Sequence, residues 1–131
     1  MKRIFFVDDD EDDRDVFQMA LKGLNMEIDY VEAVDGQDAL DKIHRADFAI
    51  PDLIFVDLNM PRLNGLEFIL KMKQMDEYKD VPTYVYTTST SPRERVNCLS
   101  SGASGYIIKH VNHADLTKEL NDLLLKLGAA A

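Results

Sequence analysis

Short runs of β-branched and aromatic residues alternate with segments of helical periodicity along this chain, and this alternation limits the possible folds most. Five such runs are predicted strands, at residues 2–7, 27–33, 53–56, 82–86 and 106–108. In the segments between and after them, apolar residues recur three or four positions apart, which is typical of amphipathic helices. Strands that alternate with helices form a parallel sheet with helices on both faces. The sequence therefore predicts an α/β fold with a doubly wound, five-stranded parallel sheet of (βα)5 order.

Capping residues mark the helix boundaries. Asp35, Asn64 and Ser91 are predicted N-caps of the second, third and fourth helices, each with an acid three residues later. Gly102 is expected to end the fourth helix, and Gly128 the fifth, which is predicted to run from about residue 112 to 127. Sheet-facing residues are expected to be Val16, Phe17, Ala20, Leu21 and Leu24 in helix one, Ala39, Leu40 and Ile43 in helix two, Val96 and Leu99 in helix four, and Leu116, Leu120, Leu123, Leu124 and Leu127 in helix five.

The bulk composition favours one soluble domain in a reducing compartment. The 131 residues suit a single domain, with a core of about residues 2–127 and a tail at 128–131. The net charge of −9 argues against general nucleic-acid binding, which needs a basic face. The single cysteine, Cys98, excludes an internal disulfide and is expected to be a small apolar filler. No signal peptide or membrane span is recognised, so a cytoplasmic location without membrane contact is expected.

A carboxylate ends the most apolar strand. Leu53 to Val56 has no polar alternation, which suits a central strand buried on both faces. The run stops at Asp57, and the turn residues Asn59 and Pro61 follow. In open α/β sheets, ligands bind at the carboxyl ends of the strands. Asp57 is therefore the first candidate for chemistry.

Reactive residues also follow three other strands: Asp8 and Asp9 after the first, Thr87 after the fourth and Lys109 after the fifth. All these strand ends lie at one edge of a parallel sheet, so the carboxylates are expected to meet and repel one another. A hard divalent cation with oxygen ligands, best Mg²⁺, and the ammonium of Lys109 would balance their charge. Such a site can receive a phosphoryl group on a nucleophilic Asp57, with a hydrogen bond from Thr87.

These pieces together resemble the receiver domain of bacterial response regulators, the CheY-like family of two-component signalling. The matching segments are Val7-Asp8-Asp9, Asp57 to Pro61 with Gly65, Pro82 to Thr87, and Gly102 to Tyr106 with Lys109. The resemblance covers residues 2–127 and implies a flavodoxin-like fold. It also implies a signalling domain rather than an enzyme, with only self-catalysed phosphorylation and dephosphorylation.

By this resemblance, Asp57 is the phosphoacceptor. Asp9, Asp57 and the main-chain carbonyl of Asn59 would bind Mg²⁺ directly, and Asp8 would act mostly through water; Mn²⁺ can substitute. Thr87 and Tyr106 would form the switch pair, with Thr87 moving toward the phosphoryl group and Tyr106 turning inward.

The implied partners are a histidine kinase or histidine phosphotransfer protein as donor, and an output protein of unknown identity. The expected output surface is helix four, strand five and helix five. A stand-alone regulator is the preferred interpretation, and a relay intermediate that passes the phosphoryl group on to a histidine stays open.

Two positions depart from the family pattern. His110 stands where the family usually has a proline after a cis peptide bond. A cis bond before a residue other than proline is energetically costly, so the Lys109–His110 bond is expected to be trans. Thr88 is β-branched where a small residue is often found, and we expect it to slow the access of water to the acyl phosphate.

Three other functions fit the sequence less well. A flavodoxin-like FMN carrier is disfavoured because its phosphate loop follows the first strand, where this chain has carboxylates. A Mg²⁺-dependent phosphohydrolase is disfavoured because Asn59, not an acid, lies two residues beyond Asp57. A degenerate, passive receiver is disfavoured because the site positions are intact.

Overall fold

The computed structural model describes residues 2–109 and 113–130, with side chains as far as Leu127. Within these ranges, strands and helices alternate in ten elements: β1 Lys2–Val7, α1 Glu11–Lys22, β2 Ile28–Ala33, α2 Gly36–Ile43, β3 Leu53–Val56, α3 Gly65–Met72, β4 Thr83–Thr87, α4 Pro92–Ser100, β5 Gly105–Ile108 and α5 His113–Ala130. The strands form one sheet in the order β2-β1-β3-β4-β5, and each neighbouring pair is parallel. The predicted doubly wound α/β fold is confirmed.

The strand order places a crevice beside β3. The chain leaves β1 toward β2 and then returns to the other side of β1 with β3, so the order reverses between β1 and β3. Every residue of β3 is buried, as its unbroken apolar run predicted. At β2, an edge strand, only Ala33 is fully buried. Ligands of open α/β sheets bind where the strand order reverses, at the carboxyl ends of the strands.

Two apolar layers enclose the sheet, one on each face. Helices α1 and α5 pack on one face, where the rings of Phe6 and Phe17 stack with centroids 4.0 Å apart. Helices α2, α3 and α4 cover the other face, with Phe68 fully buried. No helix in the described ranges has the length and apolar character needed to cross a membrane.

The sheet-facing residues of two helices differ from prediction. Val16 is 43% exposed, because Phe17, Ala20 and Leu21 form a narrower buried stripe on α1 than the apolar pattern implied. On α4, Val96 and Leu99 are 59% and 42% exposed. Cys98 is the buried residue of that helix, which confirms its expected filler role.

The ends of the elements largely follow their capping residues. Asp35, Asn64 and Ser91 each accept a backbone hydrogen bond from the first turn of their helix, and Asn64 forms a full capping box with Glu67. Gly102 follows α4 with φ of +115°, in the region that favours glycine.

The predicted end of the fifth helix is wrong, because α5 continues through Gly128 to Ala130. A glycine inside a helix costs only about 1 kcal/mol relative to alanine, and alanine, which follows it, is the strongest helix former. The predicted start near residue 112 lies outside the described residues.

Candidate functional site

Main-chain hydrogen bonds bring the strand ends together at the crevice. The amide of Asp57 donates to the carbonyl of Val7 at 2.9 Å, which ties the residue after β3 to the end of β1. The amide of Lys109 donates to the carbonyl of Thr87 at 2.7 Å, which ties the residue after β5 to the end of β4. The residues at the carboxyl ends of four of the strands are therefore held at one edge by the sheet itself.

Three carboxylates cluster at this edge. Asp8, Asp9 and Asp57 each place one carboxylate oxygen within 4.8 Å of those of the other two. Asp8 is fully buried, Asp57 is nearly so, and Asp9 is exposed. The cluster therefore opens to solvent on the side of Asp9, where a small ion or a phosphate donor can enter.

Lys109 provides the positive charge of the site. Its Nζ lies 2.7 Å from Asp13 Oδ2, 3.0 Å from Asp8 Oδ2 and 3.6 Å from Asp57 Oδ2. The side chain is 11% exposed, and the ammonium lies 5.6 Å from the centre of the Tyr86 ring, within range of a cation–π attraction. The Tyr86 ring and the three carboxylates together fix the position of the ammonium, which lies closest to Asp13.

Burial and charge perturb these groups strongly. Burial raises the pKa of Asp8 to about 6, although the amide of Asp10 and the ammonium of Lys109 oppose the shift. Burial, with the charge of Asp9, also raises the pKa of Asp57 above its ordinary value, against the opposing effect of Lys109. For Lys109, burial favours the neutral form, but the hydrogen bond to Asp13 and the charge of Asp8 outweigh it and raise the pKa. The acids in this cluster resist ionisation, so a further positive charge would stabilise their ionised forms.

The donor set fits a divalent metal ion. Asp8 Oδ1 accepts the amide of Asp10 at 3.0 Å, but within the described part of the chain Asp8 Oδ2 is buried without a hydrogen bond. The Lys109 ammonium forms an ion pair with this oxygen at 3.0 Å. Clustered carboxylate oxygens, one lacking a donor, suit a hard cation such as Mg²⁺ or Mn²⁺.

Thr87 and Tyr106 converge on one residue, Ser89. Thr87 is fully buried, and its Oγ1 accepts the amide of Ser89 at 3.2 Å. Half-buried Tyr106 donates its hydroxyl hydrogen bond to the carbonyl of Ser89 at 3.0 Å. The Ser89 side chain in turn donates to Glu94 of α4 at 2.7 Å. The two predicted switch residues thus share a loop that is anchored to the start of α4.

The remaining predicted site residues lie at the rim. Asn59, two residues beyond Asp57, and Thr88, directly after Thr87, are exposed. The Lys109–His110 peptide bond lies outside the described residues, so the expectation of a trans bond stays a prediction.

The segment that follows Asp57 contacts the start of α2 through Arg62 and Leu63. Arg62 has a left-handed backbone, with φ of +66°, and its guanidinium makes a two-pronged ion pair with Asp35 at 2.7 to 3.0 Å. A Cβ atom on Gly36 would overlap the carbonyl of Leu63, so the same segment packs directly on the first turn of α2.

Sequence reasoning missed three residues of this site. Asp13 lies in the first turn of α1 and contacts Lys109; its place in the acidic run that follows Asp8 and Asp9 is the signal that could have indicated it. Arg14 donates to the carbonyl of Asp8 at 2.8 Å, and Ser89 joins the two switch residues. No residue pattern marks Arg14 or Ser89, because a hydrogen bond to or from a backbone group does not require a particular residue type at the partner position.

This geometry defines a doubly wound α/β domain in which a cluster of carboxylates, suited to binding a cation, lies where the strand order reverses. The family model for the response regulator receiver domain matches residues 4–121. The chain therefore belongs to the response regulator receiver domain family.

Several known proteins are similar to it. The CheY homolog of Campylobacter jejuni is 30% identical over 122 residues, which cover 93% of this chain and 92% of that protein. The transcriptional regulatory protein PrrA of Mycobacterium tuberculosis is 35% identical over 130 residues, 98% of this chain and 52% of PrrA. The chain thus spans about half the length of PrrA.

Two solved structures share the fold over nearly the whole chain. The phosphorylated cyanobacterial phytochrome response regulator RcpA is 27% identical, with a TM-score of 0.89 over 99% of this chain and 96% of that one. The Mn²⁺-bound form of the response regulator Rcp1 is 27% identical, with a TM-score of 0.83 over 94% of this chain and 91% of that one.

Proposed function

We propose that this receiver domain accepts a phosphoryl group on Asp57 in a Mg²⁺-dependent reaction and signals through phosphorylation-dependent protein contacts. The observation that carries the proposal is the cluster of Asp8, Asp9 and Asp57, with the Lys109 ammonium 3.6 Å from Asp57 Oδ2. A buried carboxylate beside a cation site and an ammonium can act as a nucleophile toward phosphorus. The whole of residues 1–131 is proposed to be one such domain.

In the proposed reaction, an Asp57 carboxylate oxygen attacks the phosphorus of a phosphohistidine. A phosphorus–oxygen bond forms, the phosphorus–nitrogen bond breaks, and the histidine leaves and takes up a proton from solvent. Asp9, Asp57 and the carbonyl of Asn59 would hold Mg²⁺, with Asp8 acting through water. When bound, the ion would neutralise charge on the phosphoryl oxygens.

Lys109 and Thr87 have complementary tasks in this proposal. Lys109 would contact a second phosphoryl oxygen, and the hydroxyl of Thr87 would donate to a third. Since Thr87 Oγ1 accepts the Ser89 amide in this structure, movement of Thr87 would loosen the loop that Tyr106 also holds. The loop leads into α4, so the chemical event would be transmitted toward that helix.

The proposed donor is a histidine kinase or a histidine phosphotransfer protein. The proposed output surface is α4, β5 and α5, where Val96, Leu99 and Ile108 are exposed apolar residues. The likeness to phosphorylated RcpA and Mn²⁺-bound Rcp1 supports the chemistry. Action in the cytoplasm is part of the same proposal, where such phosphoryl donors and Mg²⁺ are available.

The decisive experiment is incubation of the protein with acetyl phosphate and MgCl₂, followed by intact-protein mass spectrometry. The wild type is expected to gain the mass of one phosphoryl group, and the gain should disappear with EDTA or in Asp57→Ala. Asp122→Ala, which removes an exposed acid from α5, is the matched control and should be phosphorylated normally. Phosphorylation of Asp57→Ala at the wild-type level, or no mass gain in the wild type, would contradict the proposal.

A further inference from the structure

Lys109 donates a hydrogen bond to Asp13, a carboxylate that has no role in the proposed phosphoryl transfer. The contact of Lys109 Nζ with Asp13 Oδ2 at 2.7 Å is a hydrogen bond. Asp57 Oδ2, at 3.6 Å, lies beyond hydrogen-bond distance. The shortest contact of the ammonium is therefore with Asp13 of α1, and the ion pair with the proposed phosphoacceptor is the longest of the three with Asp8, Asp13 and Asp57.

Asp13 is available for this contact because another residue caps the helix. The side chain of Asp10 accepts the amides of Asp12 and Asp13 at 2.9 and 3.4 Å, which satisfies the first turn of α1. The carboxylate of Asp13 is therefore not the N-cap of α1. It is 36% exposed, whereas Lys109 is 11% exposed, so the contact joins a buried cation to an acid at the site's edge.

The same contact changes the charge of the site. The acids Asp8, Asp9, Asp13 and Asp57 outnumber the Lys109 ammonium at this edge of the sheet, so a divalent cation would leave a net negative charge among these groups. A phosphate donor is itself an anion, and it enters this excess of negative charge. Removal of the Asp13 charge would both lower that repulsion and release the ammonium for a phosphoryl oxygen.

We propose that Asp13 is a positioning residue that holds Lys109 back from Asp57 and thereby limits the rate of phosphorylation. This inference rests on the proposed function and adds a device that regulates the same site. Asp13 acts through Lys109 and need not touch the phosphoryl group or the metal.

The test compares Asp13→Asn with Asp12→Asn and Asp13→Glu. Asp12→Asn removes the same charge from the same helix turn, but in the described part of the chain the carboxylates within 4 Å of Lys109 are those of Asp8, Asp13 and Asp57. Rate constants for phosphorylation by acetyl phosphate are measured at several Mg²⁺ concentrations and extrapolated to saturation. This separates a change in metal affinity from a change in the transfer step, and melting temperatures check the fold.

Asp13→Asn is expected to be phosphorylated about threefold to tenfold faster than wild type at saturating Mg²⁺. Asp12→Asn should stay within about twofold, and Asp13→Glu should remain close to wild type because it keeps the anion. A merely structural role for Asp13 would lower the melting temperature without accelerating transfer.

The inference would be overturned by an unchanged or slower rate for Asp13→Asn, or by equal acceleration in Asp12→Asn, which would mean a general effect of charge. Slower transfer together with a higher Mg²⁺ requirement would instead make Asp13 part of the metal site. Failure of the wild type to gain a phosphoryl group would contradict the proposed function itself, which is a separate outcome.

Discussion

A Cβ atom on Gly65 would overlap the main-chain oxygen of Asp57, so the first turn of α3 packs directly on the backbone of the proposed phosphoacceptor. The amide of Gly65 also donates to the carbonyl of Leu58 at 2.9 Å. This close approach constrains the backbone of Asp57, whose amide is also bonded to the carbonyl of Val7. Only a residue without a side chain permits it.

Gly65→Ala is therefore expected to lower the free energy of unfolding by about 1–3 kcal/mol, because the methyl group forces the two backbones apart. It should also slow phosphorylation of Asp57 by acetyl phosphate. Gly23→Ala is the control, since a Cβ atom there meets its nearest neighbour, the carbonyl oxygen of Ala20, at 3.4 Å, an ordinary contact. Chemical denaturation and phosphorylation rates measure both effects. A Gly65→Ala protein as stable and as reactive as Gly23→Ala would refute the packing argument.

Asp8 makes the stability of the metal-free protein depend on pH. Its pKa is raised to about 6 in the folded state by burial, above the ordinary value of 3.8, so between these values the folded state binds more protons than the unfolded state. The free energy of unfolding therefore falls as pH rises through this window, by up to about 3 kcal/mol from this group. Asp8→Asn removes the effect and should be more stable than wild type at neutral pH.

The measurement is urea denaturation of both proteins in EDTA from pH 4 to pH 8. The stability difference in favour of Asp8→Asn should grow as pH rises to about 6 and then level off. Added Mg²⁺ should narrow the difference, because it stabilises the ionised wild-type cluster. A difference independent of pH would be inconsistent with the burial of an ionisable Asp8.

Arg62 combines a strained backbone with an ion pair. Arg62→Ala and Arg62→Gly both remove the ion pair to Asp35, but only glycine relieves the left-handed backbone, where φ is +66°. Arg62→Gly is therefore expected to be more stable than Arg62→Ala by about 1 kcal/mol. Thermal or urea denaturation of the two variants tests this, and equal stability would mean that the left-handed conformation costs nothing in this segment.

Thr88 stands exposed beside buried Thr87 at the mouth of the site. We expect its branched side chain to hinder water that approaches the acyl phosphate, so Thr88→Ala should dephosphorylate about twofold to tenfold faster. Thr90→Ala, an exposed threonine in the same segment, is the control. Loss of the phosphorylated mass with time gives the rates. Unchanged or slower dephosphorylation in Thr88→Ala would remove this role from Thr88.

The sequence anticipated most of the architecture because the relevant signals are local. The unbroken apolar run Leu53 to Val56 specified a buried strand, and the capping residues Asp35, Asn64 and Ser91 each begin a helix as expected. These interactions lie within a few residues of one another, so they can be recognised without knowledge of the fold. The spacing of apolar residues was a less reliable guide for α4, where Cys98 is buried and Val96 is exposed. Tertiary packing determines which residue of such a short helix is covered.

By itself, the sequence determined which residues end the strands, and parallel strands place such ends along one edge whatever their order. For this reason the sequence alone groups Asp8 and Asp57 with Lys109, and the structure places both carboxylates within 3.6 Å of the Lys109 ammonium. Only the tertiary structure decided that Lys109 is hydrogen-bonded to Asp13, 96 positions earlier in the chain. The direction of a long, flexible lysine side chain depends on the charges that folding brings around it, and no local pattern records them.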